Sequence, residues 1–371
     1  MSIVNLQDEP IYIRSPYIIE VNQPSNIGSK IDIYIWNNGD TPPTTPTYTL
    51  SKKIPSPTNL QMTYNVSHYV KEFIGWTYND LAYNLTNDNP PDTEWCYIKV
   101  STYYETLGVP FELIDTKTWI AFDGYGYYEE GYNPELDVYG LNEGTYYYKY
   151  DASDPTGTDY LNRFGDIRVI PTEDYEFMWT NLDTLATQSY VITALDVSGK
   201  PVLLTYAVYP LYSEEGNKLE YKDDLGVVLK TWYFKPITEC RYTPVTIDFV
   251  NQLGAWQRVW FFKASIQSLS VSKDEHNLYK RDLINYDINT PQRRQFNVNG
   301  TRKIKLNTGW VEQTFNELVL KPLMLSEEIR LDKQPVKLLT NSTELFENIN
   351  KKVINYELEF ETAFDIINTV V

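Results

Sequence analysis

The sequence contains very little histidine and cysteine, with only two of each among 371 residues. Histidine is the usual proton shuttle and metal ligand, and the cysteine thiolate is the strongest natural nucleophile. A chain with so few of these residues has few side chains suited to acid–base, metal or thiol chemistry. We therefore expect a protein that is not an enzyme and that binds neither a cofactor nor a metal ion.

Long apolar runs are also missing, and no stretch approaches the ~20 residues that a membrane-spanning helix needs. The opening residues MSIVNLQDEPIYI lack the basic region and the small-residue cleavage site of a secretory signal. Cys96 and Cys240 could form one disulfide, although two free thiols in a reducing compartment are the plainer interpretation. These features predict synthesis in the cytoplasm and no membrane insertion.

Basic residues are outnumbered, because 32 Lys and Arg face 50 Asp and Glu and leave a net charge of −18. Such an excess argues against nucleic acid as a partner, since affinity for phosphates depends on cations. The charge is −6 over residues 1–120, −13 over 121–240 and +1 over 241–371. The acidic middle is either a solvated face or a surface that pairs with the basic residues of 281–305 in a neighbouring copy. Such a head-to-tail contact would close into a ring or extend as a tube, with Arg293 and Arg294 as interface candidates.

Tyrosine, in contrast, is abundant, with 32 residues. It provides a large, stiff and half-polar contact surface at a low entropic cost. Between residues 123 and 165 it is mixed with Gly and Asp, a composition that indicates loops and short hairpins. The cluster is interpreted as a protein–protein interface, a sugar-binding platform or ordinary mixed packing. Its interface candidates are Tyr125, Tyr127, Tyr128, Tyr132, Tyr146, Tyr147 and Tyr148.

The hydrophobic pattern predicts a mainly β protein, because short β-branched and aromatic runs alternate with turns that contain Pro and Gly. KIDIYIW (30–36), followed by NNGDTPPTTP (37–46), is one example. Strict alternation in VINYELEFE (353–361) predicts a strand with one solvated face. Apolar residues at helical spacing in 309–329 predict a helix, which Pro322 should kink or end.

These elements predict two or three β-sandwich-like domains with a small C-terminal α/β element. We expect an N-terminal β-sandwich over 1–120, an acidic, tyrosine-rich β region over 121–240, and a C-terminal β domain with one helix over 241–371.

Chemical motifs are scarce. No glycine-rich phosphate loop, G-x-S-x-G elbow or paired-histidine metal helix is present. DASDPTGTD (151–159) offers spaced carboxylates for calcium, but its spacing does not match an EF-hand and favours a solvated loop. Glu129 and Glu130 stand among aromatic residues without forming a recognisable acid–base pair. The aromatic segment GAWQRVWFF predicts core or interface anchors at Trp256, Trp260, Phe261 and Phe262.

Three C-terminal segments carry a resemblance: DFVNQLGAWQRVWFFKAS (248–265), FNVNGTRKIKLNTGWV (296–311) and residues 323–371, which begin with LMLSEEIRLDKQPVKLLTNST. They resemble the closing part of virion structural proteins of tailed bacteriophages, and the opening of this chain is similar to the start of those proteins. The final strands are similar to tail and baseplate proteins of the distal tail type. The resemblance implies β-sandwich domains arranged in rings around a tail axis, without catalytic residues.

The expected function is therefore that of a building block in a phage tail, baseplate or neck, made in the host bacterial cytoplasm and located in the virion. Its expected partners are further copies of itself and other virion proteins. The alternative is a receptor- or carbohydrate-binding tail fibre or lectin-like module, with a host surface glycan as its partner.

Overall fold

The computed structural model describes residues 3–4, 11–37, 39–53, 61–76, 78, 94–127, 138–149, 165, 167–169, 174–192, 204–205, 213–238, 241–278, 289, 291–342 and 353–367. Several β-sheets and a few short helical segments confirm the predicted mainly β, multi-domain sandwich-like class.

The chain forms two compact units. Unit 1 comprises Met1–Tyr146, Asp151–Pro236 and Val250–Arg258, and unit 2 comprises Tyr147–Tyr150, Ile237–Phe249 and Val259–Val371. The division into three domains at residues 120 and 240 stays a prediction.

The first eight strands form two sheets of unit 1. They are β1 (Ile3–Val4), β2 (Ile11–Tyr12), β3 (Ile18–Asn22), β4 (Gly28–Asn37), β5 (Tyr48–Lys53), β6 (Gln61–Asn65), β7 (Trp95–Thr106) and β8 (Val109–Phe122). One sheet has the order β1-β3-β6 and the other has the order β2-β8-β7-β4-β5. Strand β2 pairs with β8 in parallel, whereas the remaining pairs are antiparallel.

These two sheets share one hydrophobic core. Ile19 and Met62 of the three-stranded sheet belong to the same buried cluster as Ile33 and Ile98 of the five-stranded sheet. Alternation along each strand brings these side chains to one face, as the runs of β-branched residues predicted. The resulting arrangement is sandwich-like.

The next eight strands form two further sheets, most of whose residues belong to unit 1. They are β9 (Val138–Gly140), β10 (Gly144–Lys149), β11 (Ile167–Val169), β12 (Tyr175–Asn181), β13 (Thr187–Ile192), β14 (Leu204–Thr205), β15 (Asn217–Lys222) and β16 (Val228–Ile237). Their orders are β10-β16-β15-β12-β13 and β14-β11-β9. The core of the five-stranded sheet is aromatic and includes Phe177, Tyr221, Trp232 and Phe234.

The remaining strands form one seven-stranded sheet, whose core belongs to unit 2. They are β17 (Val245–Val250), β18 (Trp256–Phe261), β19 (Ile266–Asn277), β20 (Arg293–Glu312), β21 (Ile329–Leu331), β22 (Gln334–Leu338) and β23 (Val353–Thr362). The order is β18-β17-β21-β22-β23-β20-β19. Strand β23 has the predicted solvated face, because Tyr356, Leu358 and Phe360 are buried while Asn355 and Glu357 are exposed.

The predicted helix begins later than expected and does not end at Pro322. Val311 still belongs to β20, and a π-helical turn (Asn316–Leu320) continues into the short helix α1 (Lys321–Met324). Pro322 is tolerated because it lies in the first turn of α1, where its missing N–H group costs no helical hydrogen bond. Leu320 and Leu323 pack into the core of unit 2.

Candidate functional site: an exposed ribbon and two hairpin tips

The tyrosine candidates occupy different environments. Tyr146 and Tyr148 are buried, Tyr125, Tyr127 and Tyr147 are half-buried, and Tyr128 and Tyr132 lie outside the described residues. Burial raises the pKa of Tyr125 to about 12, and its ring lies 4.6 Å from the Arg14 guanidinium. Burial and the neighbouring Glu312 raise the pKa of Tyr147 to about 12. These tyrosines therefore do not form one exposed surface.

The aromatic segment 254–262 lies mainly inside the protein. Trp256, Phe261 and Phe262 are buried, whereas Trp260 is half-buried. The Trp256 ring meets the Tyr78 ring edge-on at 5.3 Å, within unit 1. These three buried side chains contribute to the cores, and a contact surface must use other residues.

Arg293 and Arg294 are exposed, and both lie on a protruding antiparallel ribbon. The ribbon consists of β19 and residues 293–305 of β20, and every residue of β19 is exposed. Strand β19 is the edge of the seven-stranded sheet and has β20 as its neighbour. An edge strand of this length presents a row of backbone groups to solvent and invites contact with another chain.

A bulge shapes the outer half of the ribbon. The register shifts between Ser272 and Asp274, and Asn297 on the opposite strand has a left-handed φ of 49°. The Asn297 side-chain amide donates a hydrogen bond to the Asp274 carboxylate at 3.0 Å, which holds this conformation. The His276 ring lies edge-on to Phe296 at 5.2 Å, so the outer half also has ordered side chains.

On one face of the ribbon, the side chains lie on the same side of the sheet as the core but are exposed to solvent. In β20, Leu306 is buried in the core of unit 2 and Ile304 packs against it. Because side chains alternate along a strand, residues 302 and 300 point to the same face as Ile304. The apolar side of the sheet therefore extends beyond the part that the core covers.

We call this surface the ribbon face and define it by Leu269, Val271, Gly300, Arg302 and Ile366. Leu269 lies opposite Arg302, and Val271 lies opposite Gly300. A Cβ atom on Gly300 would lie 3.3 Å from Leu269 and 3.6 Å from Ile366, so these side chains surround the glycine. Leu269 is nevertheless 62% exposed, and Val271 and Ile366 are about half exposed. The ribbon face is thus apolar, cationic and open to solvent.

The C-terminal segment fixes Ile366 in this position. The Ile366 N–H donates to the Gly300 carbonyl at 2.7 Å. The Asn299 amide group donates to the Ile367 carbonyl and accepts a hydrogen bond from the Ile367 N–H, both at 3.0 Å. Because the backbone is held at three points, the apolar side chains of the ribbon face are presented in a fixed arrangement.

Two hairpin tips of unit 1 also expose large apolar side chains. The tip between β7 and β8 exposes Leu107 at 89%, together with Phe111 and Leu113. The tip between β15 and β16, residues 223–229, has the sequence DDLGVVL and exposes Leu225 at 82%. Exposed apolar groups on ordered hairpins are typical of surfaces that contact another protein.

Trp310 is a further exposed aromatic residue that the sequence did not distinguish. It lies on β20, 71% exposed, opposite Asn355 on the solvated face of the sheet. The sequence singled out the basic residues of this segment, but not the ribbon or its exposed apolar side chains, because 273–303 is polar and lacks the hydrophobic alternation of a half-buried strand. The one available signal was an acidic turn followed by an apolar run in DDLGVVL.

The buried carboxylate of Asp123, in unit 1, has a structural explanation. Asp123 forms an ion pair with Arg14 at 3.0 Å and accepts a hydrogen bond from the Trp76 indole at 2.9 Å. Paired and hydrogen-bonded in this way, the carboxylate fixes the start of the 123–127 segment.

The described residues contain no group of three or more His, Cys, Asp and Glu suited to a metal ion. The carboxylates of 129–130 and 151–159 lie outside the described residues.

Cys96 is a buried free thiol in the core of the N-terminal sheets. Burial raises its pKa to about 12, so the thiolate form is disfavoured at neutral pH. Cys240 lies outside the described residues.

Among the helices that the structure describes, none has the length and apolar character required to cross a bilayer.

No family model and no curated protein matches the chain. One solved structure, the native conformation of E. coli alpha-2-macroglobulin, is similar to 82% of this chain at 8% sequence identity and a TM-score of 0.21. The chain spans 22% of the length of that protein. A similarity this weak carries no argument about fold or function.

Proposed function

We propose that the chain is a structural building block of a tailed-bacteriophage virion, located in the tail, baseplate or neck. It acts by burying surface against copies of itself and against other virion proteins. The observation that carries the self-assembly is the exposure of apolar side chains on three ordered hairpins, namely the ribbon and the two tips.

Assembly is favourable only if a single chain exposes several such side chains. Burial of one Leu, Val, Ile or Phe side chain contributes roughly 1.5–3 kcal/mol. Association itself costs about 4–15 kcal/mol in lost translational and rotational freedom. Several side chains must therefore be buried together, and the ribbon face alone offers Leu269, Val271 and Ile366. Rigid strands reduce the additional cost of ordering them.

The phage assignment rests on the resemblance of the C-terminal segments to virion proteins and on their β-rich composition. Adhesion is favoured by the exposure of Leu269, Val271 and Ile366 beside the exposed Arg302 on the ribbon face.

Electron microscopy of purified phage particles, labelled with a gold-conjugated antibody against the chain, tests the virion assignment. We expect gold at a fixed position on the tail, baseplate or neck, because a building block occupies defined sites in every particle. Particles that remain unlabelled, while the antibody recognises the isolated protein, would contradict the assignment.

A further inference from the structure

We propose that the ribbon face of one copy docks on the 223–229 tip of a second copy. This inference rests on the proposed function, since it specifies the contact through which the building blocks assemble. It is carried by the complementary charge and the shared apolar character of the two surfaces.

The donor surface is cationic. The two strands of the ribbon, residues 266–277 and 293–305, contain six Lys and Arg against two Asp and Glu. Arg293, Arg294 and Arg302 are exposed, and among the described residues no carboxylate pairs with any of them. Lys305, by contrast, is already paired with Glu357. The unpaired guanidinium groups are therefore available to an acidic partner, for which Arg offers bidentate geometry.

The acceptor surface is acidic and apolar. Residues 223–229 contain two carboxylates and no cation, and Leu225, Val227 and Val228 are exposed beside them. Asp224 is exposed and forms no ion pair among the described residues. An apolar surface next to an unpaired carboxylate matches an apolar surface next to unpaired guanidinium groups.

The acceptor tip is also preorganised. The Asp223 carboxylate accepts hydrogen bonds from the Leu225 and Val227 N–H groups at 3.0 and 2.7 Å. Gly226 has a φ of +79°, which the turn requires and glycine adopts without strain. Because Asp223 is used to hold the turn, Asp224 is the carboxylate that remains for a partner.

The tip between β7 and β8 is a poorer acceptor, although it is equally apolar. Its Glu105 is paired with Lys53, and its Glu112 accepts a hydrogen bond from the Tyr104 hydroxyl at 2.6 Å. The Lys30 ammonium group, which is paired with Asp32 at 2.8 Å, lies 5.9 Å from the centre of the Phe111 ring. One of the carboxylates of this tip is already paired with a cation and another already accepts a hydrogen bond, so a cationic ribbon gains less there.

The ribbon face and the 223–229 tip are different surfaces, so their contact is heterologous. Each copy carries one donor surface and one acceptor surface. Successive contacts close into a ring if the rotation between copies allows it, and otherwise they extend as an open tube.

A charge exchange tests this contact. Sedimentation equilibrium of the wild type is compared with Arg302→Glu, with Asp224→Arg and with the chain that carries both changes. We expect each single change to weaken self-association by about tenfold or more, because like charges then face each other. The double variant restores the ion pair in reverse and should return to within about threefold of the wild type.

A matched control is Lys333→Glu, which makes the same charge change at an exposed residue of unit 2 outside the ribbon. It should leave self-association unchanged. Far-UV circular dichroism confirms that each variant is folded.

The outcomes separate the two proposals. If the wild type associates while the single variants associate equally well, or if the double variant is as weak as the singles, the ribbon does not dock on this tip. Self-assembly through another surface then stands. If the wild type remains a single chain at every concentration, the proposed self-assembly fails and this contact fails with it.

Discussion

Replacement of Trp232 by alanine is expected to lower the free energy of unfolding of the β10-β16-β15-β12-β13 sheet by about 3–5 kcal/mol. Trp232 on β16 is 0% exposed and lies opposite Leu219 of β15. Its indole N–H donates to the Leu141 carbonyl at 3.0 Å. The substitution therefore creates a cavity and leaves a buried carbonyl without its donor.

Hydrogen exchange followed by mass spectrometry measures this local stability, on peptides that cover β15 and β16 for Trp232 and β20 and β23 for the control. The matched control is Trp310→Ala, which removes the same side chain from a 71% exposed position and should cost less than about 0.5 kcal/mol. Trp232→Phe retains most of the packing and should lose only about 1–3 kcal/mol. Equal effects of the two alanine substitutions would show that Trp232 is not a core residue.

Asn251→Asp is expected to destabilise the protein by about 3 kcal/mol at pH 7. The buried Asn251 amide donates to the Gly140 carbonyl at 2.9 Å and to the Gln257 side-chain oxygen at 3.2 Å. Its oxygen accepts hydrogen bonds from the Leu253 and Ala255 N–H groups at 2.9 and 3.2 Å. A carboxylate keeps the shape and both acceptor contacts but replaces the two donors with negative charge facing oxygen atoms.

The loss of stability caused by Asn251→Asp should be smaller at low pH than at pH 7. The buried carboxyl is disfavoured in its charged form, so the variant recovers stability relative to the wild type as the pH falls and the group becomes protonated. A protonated carboxyl can donate one hydrogen bond to the Gly140 carbonyl. Urea unfolding of the variant and the wild type at pH 4 and pH 7 measures the difference at each pH. A loss that is equal at both pH values would contradict this explanation, and Asn355→Asp at an exposed position serves as the control.

The fold class and the positions of some strands could be predicted from the sequence because they depend on local periodicity. KIDIYIW became the centre of β4, and the alternation in 353–361 placed the correct residues of β23 in the core. The loop after β4 followed from Asn-Gly and the prolines. Each of these features is determined by neighbouring residues, so no knowledge of the rest of the chain was needed.

Strand pairing was less predictable because it is not local. Strands β13 and β14 follow one another in the sequence, yet β13 pairs with β12, and β14 pairs with β11. Residues 273–277 and 293–303, which are polar and basic in sequence, contribute to the longest described strand pair of unit 2. A ribbon is stabilised by hydrogen bonds between its own strands, so its side chains can be polar throughout.

The burial of aromatic residues was the hardest property to predict. Tyrosine occurs on surfaces and in cores, and the choice depends on which sheet faces it. Tyr146 and Tyr148 lie on the buried face of β10, whereas Tyr147 between them is half-buried. The segment GAWQRVWFF shows no alternation, because Phe261 and Phe262 are both buried although they are adjacent. Only the three-dimensional arrangement separates these residues from the exposed Trp310.

The exposure of cationic side chains was easier to predict from the sequence than that of aromatic side chains. Arg293 and Arg294 were selected for their charge, and they lie exposed on the ribbon. Charged side chains remain in solvent unless they are paired, so a basic segment in an acidic chain predicts a surface whatever its secondary structure. The sequence could not indicate that the same ribbon exposes Leu269 and Val271, because their exposure results from the position of β19 at the edge of the sheet.

Sedimentation velocity of the wild-type protein over a hundredfold range of concentration, at about 0.1 M and 1 M NaCl, tests most directly whether this chain functions by adhesion between subunits. We expect species larger than a single chain that grow with concentration, and a smaller assembled fraction at high salt, where charge pairs are screened. A single species with the mass of one chain at every concentration and at both salt levels would contradict the account.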